Sequence, residues 1–239
     1  MYNAKSIIGI IPARSGSKGL PDKNILPFAG KPLLAWTILA ALDSGVLDEV
    51  FVSTDSGQYA EIARQYGASV PFLRPPELAG DACPASGYIL HALREYRERL
   101  NRTFDYFALL QPTTPMRTAE HIREGIMTTV DGELTAIVSF SPFDTDPKLI
   151  SALPDDLNLS ALSTPGVSPN DTLRQEGGRF YKLNGMLYVC LCDEYEKTNS
   201  FYGSNSKAMI IDDAYAIDID NETEFLTAEY LVKRSGRVE

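Results

Sequence analysis

The first part of the chain alternates between short apolar stretches and longer segments with apolar side chains at helical spacing. Continuous apolar runs rich in β-branched residues are typical of buried strands, whereas a spacing of three and four residues predicts amphipathic helices. Gly45 is expected to cap the end of the first helix. Strands are predicted at residues 6–13, 48–55, 69–75, 104–115 and 134–143, and helices at residues 31–45, 56–67, 87–100 and 119–130.

Strands that are separated by helices and joined by short connections indicate βαβ units. The order of elements therefore predicts an α/β fold with a doubly wound, mostly parallel sheet and helices on both of its faces. Towards the end of the chain we expect a return to the sheet at residues 184–192, a last strand at 214–220 and a final helix at 222–236.

Residues 142–182 depart from this pattern because they are polar and contain several prolines. Such a segment is too long for an ordinary loop. We expect an inserted arm or small subdomain, with strands of its own, that extends over the site or to a neighbouring subunit. Apart from this insertion, residues 1–239 are interpreted as a single domain.

Composition and charge restrict the class of protein. With 239 residues, 44% of them hydrophobic, the chain can form a large core, and its net charge of −10 argues against general nucleic-acid binding, which needs a basic surface. No apolar run approaches the roughly 18 residues of a membrane span, and the N-terminus does not resemble a targeting segment, so a cytoplasmic protein is expected.

The three cysteines, Cys83, Cys190 and Cys192, are interpreted as reduced thiols that are buried for structural reasons. The chain has only two histidines, so a structural zinc site is not expected.

Polar clusters occur at the carboxyl ends of the predicted strands. They read ARSGSKG, STD, RPPELAGD and QPTTPMR for the first four strands and DID for the last one. In a parallel sheet, ligands bind beyond this edge. Surface loops are often polar, but five such clusters at one edge predict a ligand site there.

The loop after the first strand combines glycines with three cations. It reads IIPARSGSKGLPDKN at residues 10–24 and contains Arg14, Lys18 and Lys23. The G-x-x-x-x-G-K-[ST] spacing of a P-loop and the G-x-G-x-x-G spacing of a dinucleotide site are both missing, which argues against kinase and dehydrogenase chemistry. Backbone N–H groups and cations on one loop can surround a polyphosphate. A solvated turn with scattered lysines is the alternative.

Two acidic side chains alternate in the last predicted strand. Asp218 and Asp220 are two residues apart, so on a strand both carboxylates would point to one face. Like charges held together are costly unless a cation lies between them, and hard oxygen ligands beside a phosphate favour Mg²⁺. The alternative is an edge strand with solvated acids, followed by Asn221 as the cap of the last helix.

Together these motifs resemble those of the CMP-N-acylneuraminate synthetases, also called acylneuraminate cytidylyltransferases. The resemblance implies a Rossmann-like fold of the nucleotide-sugar transferase kind. It also implies an enzyme that joins CTP to the anomeric hydroxyl of a sialic acid with release of pyrophosphate, uses Mg²⁺ and forms a homodimer through the inserted subdomain. The matching segments occur in order over nearly the whole chain: IIPARSGSKGLPDKN, FVSTD, LRPPELAGD, LLQPTTPMRT, RQ at residues 174–175, KLNGMLYV and IDID.

The resemblance assigns roles to individual residues. Arg14, Lys23, Asp218 and Asp220 would be catalytic, and the two aspartates would hold the metal. This chain has Ala85 where relatives often carry a hydroxyl, so Ser86 is expected to substitute for it in the nucleotide site, with backbone groups as the alternative. The nucleotide would be bound by Arg14, Ser15, Gly16, Lys18, Asn24, Arg74 and Ser86.

The sugar is itself a carboxylate and needs a cation in its pocket. Arg174 suits bidentate recognition, and Lys148 and Lys182 are the other candidates. Phe201 and Tyr202 are candidates for apolar contact with an N-acyl group, within one subunit or across a dimer interface, with ordinary packing as the alternative. The sugar-binding residues are expected to be Gln111, Thr113, Lys148, Arg174, Phe201 and Tyr202.

Several alternatives remain at this point. Legionaminic or pseudaminic acid would keep the chemistry and change the sugar, and the segments LRPPELAGD and LLQPTTP favour the sialic or legionaminic branch. A 3-deoxy-manno-octulosonate cytidylyltransferase is disfavoured because its first loop typically reads more like STRLPGKPL. A non-catalytic nucleotide-binding module is the alternative of another class. It is opposed by the presence of Arg14, Lys18, Lys23, Asp218 and Asp220.

Overall fold

The computed structural model describes residues 1–145, 150, 155 and 179–236. Most of the predicted insertion, including Lys148 and Arg174, lies outside these residues, so its organisation as an arm or subdomain stays a prediction. The strands are β1 Ile7–Pro12, β2 Pro27–Phe28, β3 Lys31–Pro32, β4 Glu49–Ser53, β5 Tyr106–Leu109, β6 Ala136–Phe143, β7 Phe180–Leu191 and β8 Ser206–Ile210. The helices are α1 Leu33–Asp43, α2 Gly57–Gln65, α3 Ala85–Leu100, α4 Ala119–Asp131, α5 Cys192–Thr198 and α6 Glu222–Arg234.

Six strands form the central sheet, in the order β4-β1-β5-β7-β6-β8, and β2 pairs with β3 in a small separate hairpin. β1 pairs in parallel with β4 and β5, and β6 pairs in parallel with β8. β7 runs antiparallel between β5 and β6. The first half of β7 therefore reaches the edge at which the parallel strands end. The predicted mostly parallel α/β sheet is confirmed.

The core lies on both faces of this sheet, because successive residues of a buried strand point to opposite sides. Ile7 and Ile11 of β1 belong to an apolar cluster with side chains of α1, α2 and α4. Ile8 and Ile10 belong to a second cluster with side chains of α3 and α5. Residues 7–11 of β1 are all isoleucine or glycine and are apolar on both faces, so the strand needs helices above and below it, which explains the doubly wound arrangement.

Two predicted strands are absent from the sheet. In residues 69–75 only Ser69 makes a β-bridge, to Phe51. Pro71 and Pro75 lack the N–H that a ladder requires, which accounts for this difference. Residues 214–220 also do not form a strand, because a short 3-10 turn occupies Asp213–Tyr215 and the residues that follow it pair with no strand.

Four elements were not predicted: the short hairpin strands β2 and β3, helix α5 and strand β8. Helix α5 buries only Cys192 and Tyr195, and β8 has a mostly exposed edge with the sequence SKAMI, so neither carries a strong periodic signal. The observed helix ends agree better with those expected from the sequence. Gly45 is left-handed, with φ of 68°, just beyond the last turn of α1, and Asn221 caps α6.

The three cysteines are free thiols; Cys190 and Cys192 are buried and Cys83 is partly buried. Pairing of β6 with β7 extends to Phe143 and Phe180, so both ends of the predicted insertion belong to the sheet. Within the described part of the chain, no helix combines the length and apolar character needed to cross a lipid bilayer.

Candidate active site

A cleft of about 270 Å³ opens at the carboxyl edge of the parallel strands. Its walls come from three separate parts of the chain: the loop after β1, the turn after β5 and the extended segment before α6. The sheet brings together three of the polar clusters that follow predicted strands. The lining residues are Pro12, Arg14, Ser17, Lys18, Gly19, Lys23, Asn24, Gln111, Pro112, Thr113 and Asp220.

The loop after β1 is held by two acids. The Asp55 carboxylate, which follows β4, accepts hydrogen bonds from Ser15 N at 2.8 Å and Ser15 Oγ at 2.5 Å. Partial burial opposes ionisation of Asp55, but the bonds from Ser15 prevail and lower its pKa. Asp22 adopts a left-handed conformation with φ of 52°, and its carboxylate accepts a hydrogen bond from Tyr59 Oη at 2.9 Å. These contacts fix the loop on both sides of its glycines, of which Gly16 is left-handed.

The loop also contacts the segment that carries the acidic pair. Lys23 is 8% exposed, and its Nζ donates to Asp220 Oδ1 at 3.0 Å and to the carbonyl oxygen of Ile219. A Cβ atom added to Gly19 would lie 2.3 Å from the carbonyl oxygen of Asp220. The predicted meeting of the basic loop and the late acids is therefore confirmed as a direct contact.

Asn24 lies next to Lys23 at the base of the cleft and is 5% exposed. Its Nδ2 donates to the carbonyl oxygen of Arg14 at 3.2 Å, while its Oδ1 has no hydrogen-bond partner within the described ranges. A buried amide oxygen without a partner is costly, so Asn24 offers an acceptor for a ligand donor.

The other two cations of the loop share one carboxylate. Asp81 lies 2.5 Å from Arg14 Nη2 through Oδ1 and 2.6 Å from Lys18 Nζ through Oδ2. Arg14 Nη1 also donates to the carbonyl oxygen of Ala79 at 3.4 Å. The hydrogen bonds from Lys18 and then from Arg14 lower the pKa of Asp81.

A second cleft of about 310 Å³ lies beside the first. Gly185 of β7 lies near one lining residue of each cleft, because an added Cβ would lie 2.3 Å from Gln111 Oε1 and 3.5 Å from Asp218 Oδ2. Gly185 has φ of 69°, so its backbone conformation favours glycine. The second cleft is lined by Lys182, Leu183, Asn184, Asp213, Ala216, Ile217, Asp218 and Glu224.

Asp218 and Asp220 keep the alternation expected of a strand although their segment pairs with no strand. Ile219 between them is fully buried, and its N–H donates to the carbonyl oxygen of Thr113 at 2.8 Å. Loss of solvent around the Asp218 carboxyl group raises the pKa of Asp218, and the neighbouring Asp220 charge raises it further. A hydrogen bond from Thr113 lowers this pKa and so opposes both effects. The two acids are therefore close enough to interact.

The acidic pair suits a metal ion that is shared with a substrate. No cluster of three or more histidine, cysteine or acidic side chains able to hold a metal occurs among the residues that the structure describes. Mg²⁺ is usually bound through one or two protein carboxylates together with substrate phosphates and water. The donor set of Asp218 and Asp220, beside three cations, fits that kind of site.

Four predicted nucleotide-binding residues do not line the first cleft: Ser15 and Gly16, which lie in the loop between lining residues, and Arg74 and Ser86. Arg74 is 4% exposed; its Nε donates to Ser53 Oγ at 3.0 Å and its Nη2 to the carbonyl oxygen of Ser53 at 2.7 Å. Its guanidinium lies 4.5 Å from the ring centroid of Tyr88, and burial lowers its pKa. Ser86 lies in the first turn of α3 and is partly buried.

The predicted sugar-binding residues are spread over both clefts and beyond them. Gln111 and Thr113 line the first cleft, whereas Lys182 lines the second and pairs with Asp213 at 3.1 Å. Phe201 packs against the rings of Phe107, Tyr188 and Tyr195, with centroid distances of 4.8 to 5.8 Å, as in ordinary core packing. Tyr202 is 61% exposed.

Arg117 is a residue of this region that the sequence did not single out. It is 1% exposed and donates to the carbonyl oxygen of Gln111 at 2.7 Å, to Thr37 Oγ1 at 3.1 Å, and to Thr114 Oγ1 and the carbonyl oxygen of Met186. Burial lowers its pKa to about 9, an effect that the Asp218 charge opposes. Arg117 thus joins the turn after β5 to α1 and β7.

Asp55, Asp81 and Arg117 end the segments FVSTD, LRPPELAGD and QPTTPMR. Their position at the end of these motifs is the feature of the sequence that could have identified them as site residues. A charged residue directly after a strand or loop at the binding edge has a partner across the site, but sequence alone does not say which one.

Comparison with known proteins supports this description. The family model described as cytidylyltransferase matches residues 8–228. A CMP-N,N'-diacetyllegionaminic acid synthase of Legionella pneumophila is 37% identical over 229 residues, which are 95% of this chain and 96% of that protein. An N-acylneuraminate cytidylyltransferase of Escherichia coli is 39% identical over 232 residues, which are 97% of this chain and 53% of that protein. The chain belongs to the cytidylyltransferase family of enzymes, and it spans about half the length of the E. coli relative.

Among solved structures, a CMP:2-keto-3-deoxy-manno-octonic acid synthetase complexed with CTP has a similar fold. The TM-score is 0.72, with 96% of this chain and 99% of that chain covered at 17% identity. At this identity the similarity concerns the fold alone, and it confirms the predicted Rossmann-like class.

Proposed function

We propose that the protein transfers the cytidylyl group of CTP to the anomeric hydroxyl of a sialic-type nine-carbon acid and releases pyrophosphate. The observation that carries this proposal is the contact of Lys23 Nζ with Asp220 Oδ1 at 3.0 Å, which brings the basic loop and one member of the acidic pair to one cleft. The membership in the cytidylyltransferase family and the names of the two relatives point to the same chemistry.

The triphosphate is proposed to lie against the loop after β1. Arg14, Lys18 and Lys23 supply positive charge there, and the free Oδ1 of Asn24 accepts a hydrogen bond from a donor on the nucleotide. Asp218 and Asp220 would hold Mg²⁺, which when bound screens the phosphate charge and lowers the pKa of a nearby hydroxyl.

The reaction forms a bond between the anomeric oxygen and the α-phosphorus and breaks the bond from that phosphorus to the oxygen that bridges to the β-phosphate. The proton of the hydroxyl is lost and pyrophosphate leaves with the bridging oxygen. Catalysis of this kind depends on positioning and on stabilisation of charge. Arg14 and Lys23 would neutralise the charge that develops on the leaving group, with Lys18 in support.

The sugar acid is proposed to occupy the second cleft. Gln111 of the first cleft and Asp218 of the second both lie near Gly185, so an acid bound in the second cleft would place its anomeric end near these two side chains. Lys182 provides a cation for the carboxylate among the described lining residues, and Arg174 and Lys148 remain predicted partners.

The identity of the nine-carbon acid is the finer part of the proposal. N-acetylneuraminic acid is the first candidate, because the sequence motifs resemble those of the CMP-N-acylneuraminate synthetases. Legionaminic acid is the second candidate, because the Legionella relative matches over nearly the full length of both chains.

The test is pyrophosphate release from CTP with Mg²⁺ and a panel of N-acetylneuraminic, legionaminic, pseudaminic and 3-deoxy-manno-octulosonic acids. We expect turnover with N-acetylneuraminic or legionaminic acid, and loss of turnover on chelation with EDTA or in Asp220→Asn, with folding retained. Glu222→Gln serves as the control, because Glu222 is an exposed residue near Asp220 and its replacement changes the net charge by the same amount.

A panel without turnover, in a protein that still binds CTP, would favour the non-catalytic nucleotide-binding module instead. Unchanged turnover in metal-free buffer would refute the metal assignment.

A further inference from the structure

The two outer cations of the loop after β1 are already neutralised by a carboxylate of the protein. Asp81 presents one oxygen to Arg14 at 2.5 Å and the other to Lys18 at 2.6 Å. A carboxylate that bridges two cations occupies the geometry that two oxygens of a phosphate group would take. It therefore competes for the groups that the proposed function assigns to the triphosphate.

The accessibility of this bridge differs from that of the third cation. Side-chain exposure is 32% for Arg14, 81% for Lys18 and 42% for Asp81, whereas the side chain of Lys23 is 10% exposed. Solvent-exposed ion pairs are weak and exchange readily. The bridge by Asp81 can thus be broken by a ligand of higher charge, while Lys23 stays in place.

The surroundings of Asp81 allow it to move aside. It follows Gly80, where an added Cβ would meet nothing within 4 Å, and both residues are exposed. The bonds that fix the loop of the cations itself, from Ser15 to Asp55 and from Tyr59 to Asp22, involve neither Arg14 nor Lys18. The loop keeps its shape when the bridge opens.

We propose that Asp81 is an exchangeable counter-anion, which the terminal phosphates of CTP displace and which returns to Arg14 and Lys18 as pyrophosphate leaves. The inference rests on the proposed function. Asp81 lowers the affinity for the triphosphate and assists release of the product, and it holds the two cations together against their mutual repulsion before the nucleotide binds.

The test compares the wild type with Asp81→Asn by calorimetric titration with CTP, inorganic pyrophosphate and CMP. Asp81→Asn removes two exposed ion pairs that compete with the ligand. We expect this to raise the affinity for CTP and for pyrophosphate by about threefold to thirtyfold. CMP has no terminal phosphates, so its affinity should not change. The gain should shrink at high salt, because screening weakens the competing pairs.

Glu77→Gln is the matched control, because Glu77 is exposed nearby and its replacement removes the same charge. Equal gains for CMP, or equal gains in Glu77→Gln, would indicate a general charge effect and would overturn the inference. Unchanged or weaker binding of CTP and pyrophosphate by Asp81→Asn would overturn it as well.

The two proposals can fail separately. A wild type that does not bind CTP, with pyrophosphate bound more tightly by Asp81→Asn, would refute the proposed function and retain the counter-anion. A wild type that binds neither ligand would refute both. Normal turnover of CTP together with no gain in Asp81→Asn would refute the counter-anion alone.

Discussion

Gly19 of the basic loop lies against the backbone of the acidic segment with no room for a side chain, and this allows a specific perturbation. In Gly19→Ala the new Cβ would lie 2.3 Å from the backbone carbonyl oxygen of Asp220. Backbone cannot rotate away as the end of a side chain can. The backbone of Gly19 is not left-handed, so alanine introduces no conformational strain of its own. The substitution therefore acts by separating the two parts of the site.

The size of the effect follows from this distance. Ordinary van der Waals contact begins at 3.4 Å, whereas the added Cβ would lie 2.3 Å from the Asp220 carbonyl oxygen. The loop and the segment of Asp220 must therefore move apart by about 1 Å. Misplacement of reacting groups by about 1 Å costs on the order of a hundredfold in rate. This corresponds to about 2.7 kcal/mol in transition-state stabilisation. We expect kcat/KM for pyrophosphate release to fall by about that factor.

The assay is pyrophosphate release with saturating Mg²⁺, combined with thermal unfolding to verify the fold. Gly80→Ala is the matched control, because an added Cβ there meets nothing within 4 Å and the backbone is not left-handed. We expect near wild-type activity for this control. If Gly19→Ala kept the kcat/KM of the wild type while remaining folded, the contact between loop and acidic segment would not position the reacting groups.

Two further predictions concern the residues that hold the site. Asp55 has a lowered pKa, so its contribution to stability is fully present above the ordinary value of 3.8 and is lost as the pH falls through the lowered value. The difference in unfolding free energy between the wild type and Asp55→Asn should therefore be largest near neutral pH and shrink in acid. Urea unfolding over a pH series measures this difference, and a difference that stays constant with pH would contradict the role of the carboxylate. Arg117→Met leaves the carbonyl oxygens of Gln111 and Met186 without this donor, which should cost about 3 kcal/mol and lower Tm by about 6–12 °C. A Tm within about 2 °C of the wild type in a thermal scan would show that Arg117 does not hold the turn.

Much of the fold was predictable because the apolar pattern repeats strongly. Strand β1 and helices α1 to α4 have long runs of strand or helix periodicity, and their ends carry glycine or capping residues. The errors fall where that pattern is weak. Residues 69–75 contain prolines that prevent pairing, and β8 is a short edge strand whose side chains are mostly exposed.

The candidate site was predictable to the extent that chemistry clusters in motifs. A basic glycine-rich loop and two alternating aspartates each indicate a phosphate or a metal ligand by residue type alone. The segment 214–220 shows the limit. It is not a strand, yet Asp218 and Asp220 are exposed on either side of buried Ile219, because extended chain alternates whether or not it pairs.

The fold class, the position of the binding edge and the residue types that meet there could be inferred from the amino-acid sequence, because these depend on local periodicity and on the chemistry of single side chains. The partners of these residues became known only from the folded structure. That Asp81 bridges Arg14 and Lys18, that Asp55 holds Ser15, and that Gly185 lies between Gln111 and Asp218 depends on contacts between residues far apart in the chain. Such contacts are set by the register and packing of the sheet, which no local pattern specifies.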